Sequence, residues 1–242
     1  MAKIVLIGSS SELGNATAVK FLEANSSLYK SIIRVGRESK TSDITWDNSG
    51  NLIESVENAI SAARIRKDDL IILSLGLLCE GITPITIDNL DVAKISKSME
   101  VTGLMTSAAF LFSIKALAVE GGGGVIVFSS VASSPVLTAN LFYGASKKYL
   151  DSIVLGTRNY LDHNNIKVSL VKPGFVATKM NSGRKPTTFS TSREKVAKRI
   201  LARFPNQIIY VPSIFIVITF LLERSKVLRK IANSKIQRSY YN

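Results

Sequence analysis

The sequence predicts an α/β protein in which a doubly wound, seven-stranded parallel sheet carries helices on both faces. Two observations lead to this fold class. Short β-branched runs alternate with helix-length segments, and those runs are mostly apolar, as expected for strands buried on both faces. The predicted strands cover 3–8, 31–36, 44–46, 70–74, 125–129, 166–171 and 207–211.

The segments between the strands have the length and composition of helices. Helices are predicted over 12–24, 52–63, about 90–119 and 143–161. Thr191 and Glu194 have the spacing of a capping box, which predicts that another helix begins there. Since no repeat or Pro-rich linker interrupts the pattern, we expect one domain over 1–212, with an apolar and basic helix over 213–242 appended to it.

The composition excludes several classes of protein. The 242 residues are 46% apolar and 20% charged, which excludes wholesale disorder. The single cysteine, Cys79, excludes a disulfide within the chain, and the single histidine, His163, excludes a histidine-rich metal site, so no metal is expected. The first residues lack the pattern of a signal peptide, which favours a cytoplasmic protein.

The net charge of +13 is concentrated at one end of the chain. Residues 1–183 hold 18 Lys+Arg and 16 Asp+Glu, a net of +2, whereas residues 184–242 hold 13 and 2, a net of +11. A neutral body with a basic, apolar end indicates a membrane surface or an anionic substrate as partner, and not nucleic acid.

A loop of small residues follows the first predicted strand. Its sequence is Gly8-Ser9-Ser10-Ser11-Glu12-Leu13-Gly14. Such a loop lets backbone N–H groups and a helix N-terminus face a pyrophosphate. A cluster of capping serines would have the same composition, so the loop alone leaves both interpretations open, and its position favours the dinucleotide.

A second group of residues has the chemistry of a proton-transfer site. Ser130 ends the fifth predicted strand, Tyr143 follows thirteen residues later, and Lys147 lies one helical turn beyond Tyr143. A neighbouring ammonium favours the phenolate of a tyrosine, and a serine hydroxyl can hydrogen-bond a carbonyl oxygen. A Tyr-x-x-x-Lys pattern alone also fits a purely structural helix face.

Five motifs in this order resemble the short-chain dehydrogenase/reductase family. They are the Gly8–Gly14 loop, Ser74-Leu75-Gly76, Phe128-Ser129-Ser130, the run from Tyr143 to Lys147, and the run from Pro173 to Met180. The resemblance implies a Rossmann fold, a nicotinamide cofactor, and hydride transfer between that cofactor and a carbonyl or alcohol. It also implies a homodimer or homotetramer.

The resemblance assigns roles to individual residues. It implies that Ser130 polarises the carbonyl, that Tyr143 is the acid/base, and that Lys147 holds the nicotinamide ribose and lowers the tyrosine pKa. A segment over about 175–204 would cover the substrate. The cofactor-binding residues that it implies are Gly8, Ser10, Ser11, Glu12, Leu13, Gly14, Arg37, Asp47, Ser74, Leu75, Gly76, Tyr143, Lys147, Pro173, Val176 and Thr178.

Three positions depart from the family pattern. Glu12 stands where the family has a glycine, and its carboxylate would repel a pyrophosphate unless it turns away or serves the first turn of the helix. Ser74 replaces an asparagine. Glu100 stands where the family's proton relay has an asparagine, which puts that relay in doubt unless Glu100 is a surface residue.

The residues after the second predicted strand bear on the choice of cofactor. Arg37 favours NADP, because an arginine there can accommodate a 2′-phosphate, while Glu38 keeps NAD open. Arg37 could instead pair with Glu38 or Glu12. Asp47 matches the family residue that meets the adenine, or is a solvated aspartate in a turn.

A narrower resemblance concerns the substrate. The first loop, Gly76-Leu77-Leu78, the run from Asn140 to Lys147 and Tyr210-Val211-Pro212 resemble decaprenylphosphoryl-2-keto-pentose reductases. That resemblance implies a polyprenyl-phosphate sugar as substrate, a place in cell wall biosynthesis and an oxidase partner in an epimerase pair. The alternatives are a general carbonyl or 3-oxoacyl reductase, and a non-catalytic dinucleotide-binding subunit at the membrane.

The last segment is apolar and then basic. Residues 214–222 are almost entirely apolar, and six cations follow by residue 238. Pro205, Asn206, Gln207 and Pro212 interrupt the uncharged stretch, which disfavours a transmembrane span of about 20 residues. Two interpretations remain: a helix buried against the core or a subunit, or peripheral membrane contact through 213–242.

Overall fold

The computed structural model describes residues 1–46, 50–78, 91–137, 141–182 and 190–241, with the backbone alone over 234–241. All seven strands of its sheet run parallel, in the order β3-β2-β1-β4-β5-β6-β7. This confirms the predicted fold class. The strands are β1 (Ala2–Ile7), β2 (Tyr29–Gly36), β3 (Ile44–Thr45), β4 (Leu70–Leu73), β5 (Gly123–Phe128), β6 (Ile166–Pro173) and β7 (Ile208–Val211).

Helices cover both faces of this sheet. They are α1 (Glu12–Ala24), α2 (Leu52–Ala62), α3 (Val92–Met99), α4 (Thr106–Glu120), α5 (Leu141–Gly156), α6 (Arg158–His163), α7 (Arg193–Arg203), α8 (Phe215–Arg224) and α9 (Lys226–Tyr241). Alternate side chains of the central strands enter two separate apolar cores. One core holds side chains of α2, α4 and α5, and the other holds side chains of α1 and α7.

The boundaries of three predicted helices need correction. The helix predicted over 143–161 begins at Leu141 and ends at Gly156, and α6 follows it as a separate helix. The helix predicted over 213–242 is two helices, because the backbone of Ser225 is extended and the Ser225 hydroxyl accepts the N–H of Leu228. Ser192, one residue after the predicted Thr191, caps α7.

A segment of π-helix, Glu100–Met105, joins α3 and α4 into one helical run. In the part of the chain that the structure describes, this run over 92–120 is the one helix long and apolar enough to cross a membrane. More than half of its apolar stretch, 56%, is buried in the fold. Phe110 and Leu117, for example, are completely buried. The run is therefore a core helix that packs against the sheet.

Candidate active site

A cavity of about 340 Å³ opens at the carboxyl edge of the sheet. In an open parallel sheet, ligands bind where neighbouring connections diverge to opposite faces, and here β1 and β4 are the two strands at that point. Most of the predicted cofactor residues line this cavity, namely Gly8, Ser10, Ser11, Glu12, Leu13, Arg37, Ser74, Leu75, Gly76, Tyr143, Lys147, Val176 and Thr178.

The first loop is fixed by a close backbone contact at Gly8 and by the hydroxyl of Ser11. Gly8 has a φ of +103°, and a Cβ there would lie 2.5 Å from the carbonyl oxygen of Ser74. The Ser11 hydroxyl caps α1 by accepting the N–H of Gly14 at 3.0 Å, and it lies 2.7 Å from the Ser74 hydroxyl. The capping and dinucleotide interpretations are therefore compatible. Gly14 itself packs against Leu6 and Ser74 and does not line the cavity.

Two further features of the same region fit a bound dinucleotide, and the sequence analysis did not assign either of them. Gly36 lines the cavity, and its missing side chain leaves room for the hydroxyls of Ser9 and Ser42, which lie 2.8 Å apart. Trp46 also lines the cavity, and its buried indole N–H has no acceptor among the described residues. Arg37 is exposed beside them. Asp47, the predicted adenine contact, lies outside the described residues.

The Glu12 carboxylate is neutralised by two donors. It accepts the backbone N–H of Lys179 at 2.6 Å and the guanidinium of Arg193 at 2.5 Å. The Lys179 N–H, followed by the charge of Arg193, holds the pKa of Glu12 below its ordinary value. Glu12 is also the first residue of α1, where a negative charge is favourable. The loop therefore fits an anionic cofactor despite this carboxylate.

Lys147 lies at the centre of the site. Its ammonium donates to the carbonyl oxygens of Phe128 at 2.8 Å and Leu75 at 3.1 Å, and so joins the ends of β4 and β5. The same nitrogen lies 5.9 Å from the centre of the Tyr143 ring. Burial lowers the pKa of Lys147 to about 8, against the opposing effect of the Asp151 charge. The geometry thus places a titratable cation next to the phenol.

Behind this lysine lies a buried polar cluster that the sequence analysis missed. Asp151 is 2% exposed, and its carboxylate accepts the Ser129 hydroxyl at 2.5 Å and lies 2.7 Å from the Lys172 ammonium. Lys172 also lies 5.7 Å from the centre of the Tyr210 ring. The spacing of Lys147 and Asp151, one helical turn apart, was the signal that could have placed Asp151 on the same face.

Ser130 takes a different position from the other two predicted catalytic residues. It caps the short 3₁₀ helix Val131–Ser133, and its hydroxyl oxygen accepts the N–H of Ala132 at 3.1 Å. Ser129 lines the cavity, whereas Ser130 does not. Since the Ala132 bond uses a lone pair of the oxygen, the O–H of Ser130 keeps its capacity to donate.

The segment after β6 forms the other wall of the cavity. Val176 and Thr178 line it, while Pro173 ends the strand and does not. The Val176 carbonyl accepts the side chain of Asn181 at 2.9 Å, which fixes the turn. Residues 183–189, which belong to the substrate-covering segment predicted over about 175–204, lie outside the described residues.

The structure also explains the other two departures from the family pattern, Glu100 and Ser74. Glu100 begins the π-helical segment, and its side chain is 41% exposed and pairs with Lys97 at 2.9 Å. Glu100 is therefore a surface residue in this structure. Ser74 keeps a polar role, since it lies against the capping hydroxyl of Ser11.

The chain matches the family model described as short chain dehydrogenase over residues 2–188. It belongs to the short-chain dehydrogenase family, and its fold is a single Rossmann-type α/β domain. This confirms the family that the motifs resemble.

Curated relatives are similar over part of their length. The chain is 32% identical over 99 residues to uncharacterized oxidoreductase Rv2073c of Mycobacterium tuberculosis, which is 40% of both proteins. It is 36% identical over 111 residues to uncharacterized oxidoreductase YgfF of Escherichia coli, covering 43% of this chain and 44% of that protein. The matched region thus spans less than half of the length of these relatives.

Solved structures share the fold over almost the whole chain. A short chain dehydrogenase from Burkholderia cenocepacia in complex with NADP superimposes with a TM-score of 0.77 at 19% identity, covering 97% of both chains. Serine dehydrogenase from Escherichia coli gives a TM-score of 0.64 at 14% identity, covering 86% of this chain and 95% of that one. At these identities the likeness establishes the fold.

Proposed function

We propose that this protein reduces a keto group to an alcohol with NADPH, and that Tyr143 supplies the proton. The observation that carries the proposal is the buried Lys147 ammonium, which two carbonyl oxygens hold beside the Tyr143 ring in the cavity. A neighbouring cation stabilises a phenolate.

The reaction needs one proton and one hydride. The first loop and Lys147 would hold a reduced nicotinamide dinucleotide, which would supply the hydride when bound. The Tyr143 phenol transfers its proton to the carbonyl oxygen, the Lys147 charge stabilises the phenolate that remains, and solvent then returns a proton to it. The Ser130 hydroxyl donates to the carbonyl oxygen, which requires substrate to reach the edge of the cavity where the capping turn lies.

The preference for NADPH over NADH rests on charge. Arg37 is exposed at the cavity, next to the hydroxyl cluster of Ser9 and Ser42. A guanidinium and hydroxyl donors suit a 2′-phosphate. The NADP complex of the Burkholderia protein is consistent with this choice. Titration of nicotinamide fluorescence with NADPH and NADH tests it: tighter binding of NADH would overturn the preference.

The substrate that we propose is a 2-keto pentose carried on a polyprenyl phosphate. Its support is the sequence resemblance to reductases of that class, with Lys97 and Lys179 as cations at the cavity wall. The keto group of such a substrate would come from an oxidase acting on the corresponding alcohol, so the two enzymes would form an epimerase pair in cell wall biosynthesis. Like other members of its family, the enzyme would act as a homodimer or homotetramer.

The test compares wild-type protein with Tyr143→Phe. NADPH oxidation should be measured with a lipid-linked keto sugar, a simple ketone and a 3-oxoacyl thioester. We expect turnover of the keto sugar, a loss of about 10²–10⁴-fold in Tyr143→Phe, and unchanged NADPH binding. Turnover of the simple ketone or thioester alone would identify a general reductase. Equal, background-level rates in both proteins would identify a non-catalytic binding subunit.

A further inference from the structure

Helix α8 carries an apolar face that the rest of the described chain leaves uncovered. Large apolar side chains on and next to this helix are about half exposed: Ile214 46%, Ile216 51%, Val217 52%, Phe220 51% and Leu221 46%. A helix at the surface of a globular protein normally turns its apolar stripe toward the core. Clustered exposure of this kind marks an interaction site.

The opposite face of α8 packs beside the active site. The ring of Phe215 fills the space over Gly174, and Gly174 lines the cavity. Farther along the helix, Thr219 is buried, and the Glu223 carboxylate accepts the hydroxyl of Ser134. Ser134 follows the 3₁₀ helix that Ser130 caps. Helix α8 therefore lies next to the cavity wall at Gly174 and next to the turn that Ser130 caps.

Helix α9 extends this face and adds positive charge. Val227, Leu228 and Ile231 are 67%, 40% and 47% exposed. Arg229 donates to the carbonyl oxygens of Leu222 and Glu223, which ties α9 to the end of α8. Residues 213–242 contain six Lys+Arg and one Asp+Glu. We call the exposed apolar and basic residues of 214–231 the α8–α9 surface.

We propose that the α8–α9 surface docks on an anionic lipid bilayer, with its apolar side chains in the interface and its cations among the lipid phosphates. Helices that lie in the plane of a membrane combine such an apolar face with Lys and Arg. Anionic headgroups attract basic segments within a Debye length of the surface. Docking would bring the side of the domain that carries α8 to the bilayer.

Charge favours a lipid surface over a second copy of the chain. Two copies meeting through this surface would bring four cations, Arg224, Lys226, Arg229 and Lys230, against the same four, with Glu223 as the single acidic residue on each side. Like charges brought together at an interface oppose association. The proposal concerns the surface alone and stands whichever keto substrate the enzyme reduces.

The test is co-sedimentation of the full chain with vesicles. Phosphatidylcholine vesicles should be compared with vesicles that contain 30% phosphatidylglycerol. We expect at least tenfold stronger partitioning onto the anionic vesicles, and a decrease at 0.5 M salt because salt screens the headgroup attraction. Equal partitioning onto both vesicle types, or none onto either, would overturn the proposal.

Variants separate docking from folding. Ile216→Glu combined with Phe220→Glu should lower partitioning at least tenfold. Leu28→Glu is the matched control, and its partitioning should stay unchanged. Leu28 is also exposed, at 44%, but it lies in the turn before β2, toward the opposite edge of the sheet from β7, the strand that precedes α8. Circular dichroism and NADPH binding check that each variant folds.

Light scattering of the same proteins tests whether a second copy of the chain, and not a membrane, covers the α8–α9 surface. If the double variant converts a dimer to a monomer while vesicle partitioning stays unchanged, the surface is a subunit interface and the proposal is wrong. If the oligomeric state is unchanged and partitioning is lost, the lipid assignment stands.

Discussion

The ammonium of Lys172 lies 2.7 Å from the carboxylate of Asp151, and both side chains are buried. Asp151 stands one helical turn after Lys147, and it also accepts the hydroxyl of Ser129. Two cations and one carboxylate thus share the protein interior, and Lys147 is the cation that lies beside Tyr143. The excess of one positive charge is the electrostatic condition under which a phenolate is stabilised.

The first prediction concerns the pH dependence of reduction. Lys147 has a pKa of about 8, so the ammonium that supports Tyr143 is lost as the pH rises through that value. We expect kcat/KM for reduction to fall on the alkaline side from about pH 8. Because the Asp151 charge raises the pKa of Lys147, Asp151→Asn should move this alkaline limb to lower pH. A profile identical to that of the wild type would show that Asp151 has a packing role only.

The second prediction concerns stability. Removing one partner of a buried ion pair leaves the other charge uncompensated and costs about 3–5 kcal/mol. Lys172→Met alone should therefore lower the free energy of unfolding by about that amount, whereas the double variant with Asp151→Asn should recover most of it. Urea denaturation of the wild type, both single variants and the double variant measures the coupling. Additive losses would mean that the pair contributes no coupling energy.

The sequence was sufficient for the fold and for the chemistry that depends on local spacing. Strand patterning predicted all seven strands, and the turn of helix between Tyr143 and Lys147 placed both on one face, as the structure has them. Both features arise from short-range periodicity. The break at Ser225 was also local, but its serine cap was not recognised within an otherwise helical pattern.

Contacts between distant segments could not be predicted in this way. Glu12 and Arg193 are 181 positions apart, and their ion pair depends on how the segment after β6 folds back over α1. The pairing of Lys172 with Asp151 likewise depends on the position of β6 against α5. Periodicity indicates which face a residue is on, but not which residue it meets there.

The third prediction concerns the Glu12–Arg193 pair. Arg193→Met leaves a carboxylate without its guanidinium beside the pyrophosphate loop, so the Kd for NADPH should rise about fivefold to tenfold with kcat unchanged. Adding Glu12→Gln removes the repulsion and should restore binding. Fluorescence titrations at low and high salt measure this, since screening should reduce the difference. A double variant that binds as weakly as Arg193→Met would indicate that Arg193 itself contacts the cofactor.

The fourth prediction uses the only tryptophan of the chain. Trp46 lines the cavity, and its buried N–H meets no acceptor in the part of the chain that the structure describes, so its emission should change when a dinucleotide binds. The change should saturate at the same concentration as the nicotinamide signal. Trp46→Phe keeps most of the ring volume and removes the donor, so weaker NADPH binding in this variant would indicate that the cofactor accepts that N–H. If the Trp46 emission stays constant up to saturating NADPH, Trp46 does not lie in the binding site.

The fifth prediction tests the close packing of Gly36, at the end of β2, against the hydroxyls of Ser9 and Ser42. A Cβ at Gly36 would overlap the Ser9 hydroxyl and lie 2.7 Å from that of Ser42, so Gly36→Ala must displace the first loop. We expect a loss of about 1–3 kcal/mol in the free energy of unfolding and at least a tenfold weaker affinity for NADPH. Gly50→Ala is the matched control, because no atom of the described residues lies within 4 Å of a Cβ there. Thermal melts and NADPH titrations of both variants measure the two effects. If Gly36→Ala binds NADPH as tightly as Gly50→Ala, the hydroxyl cluster of Ser9 and Ser42 has no part in holding the cofactor.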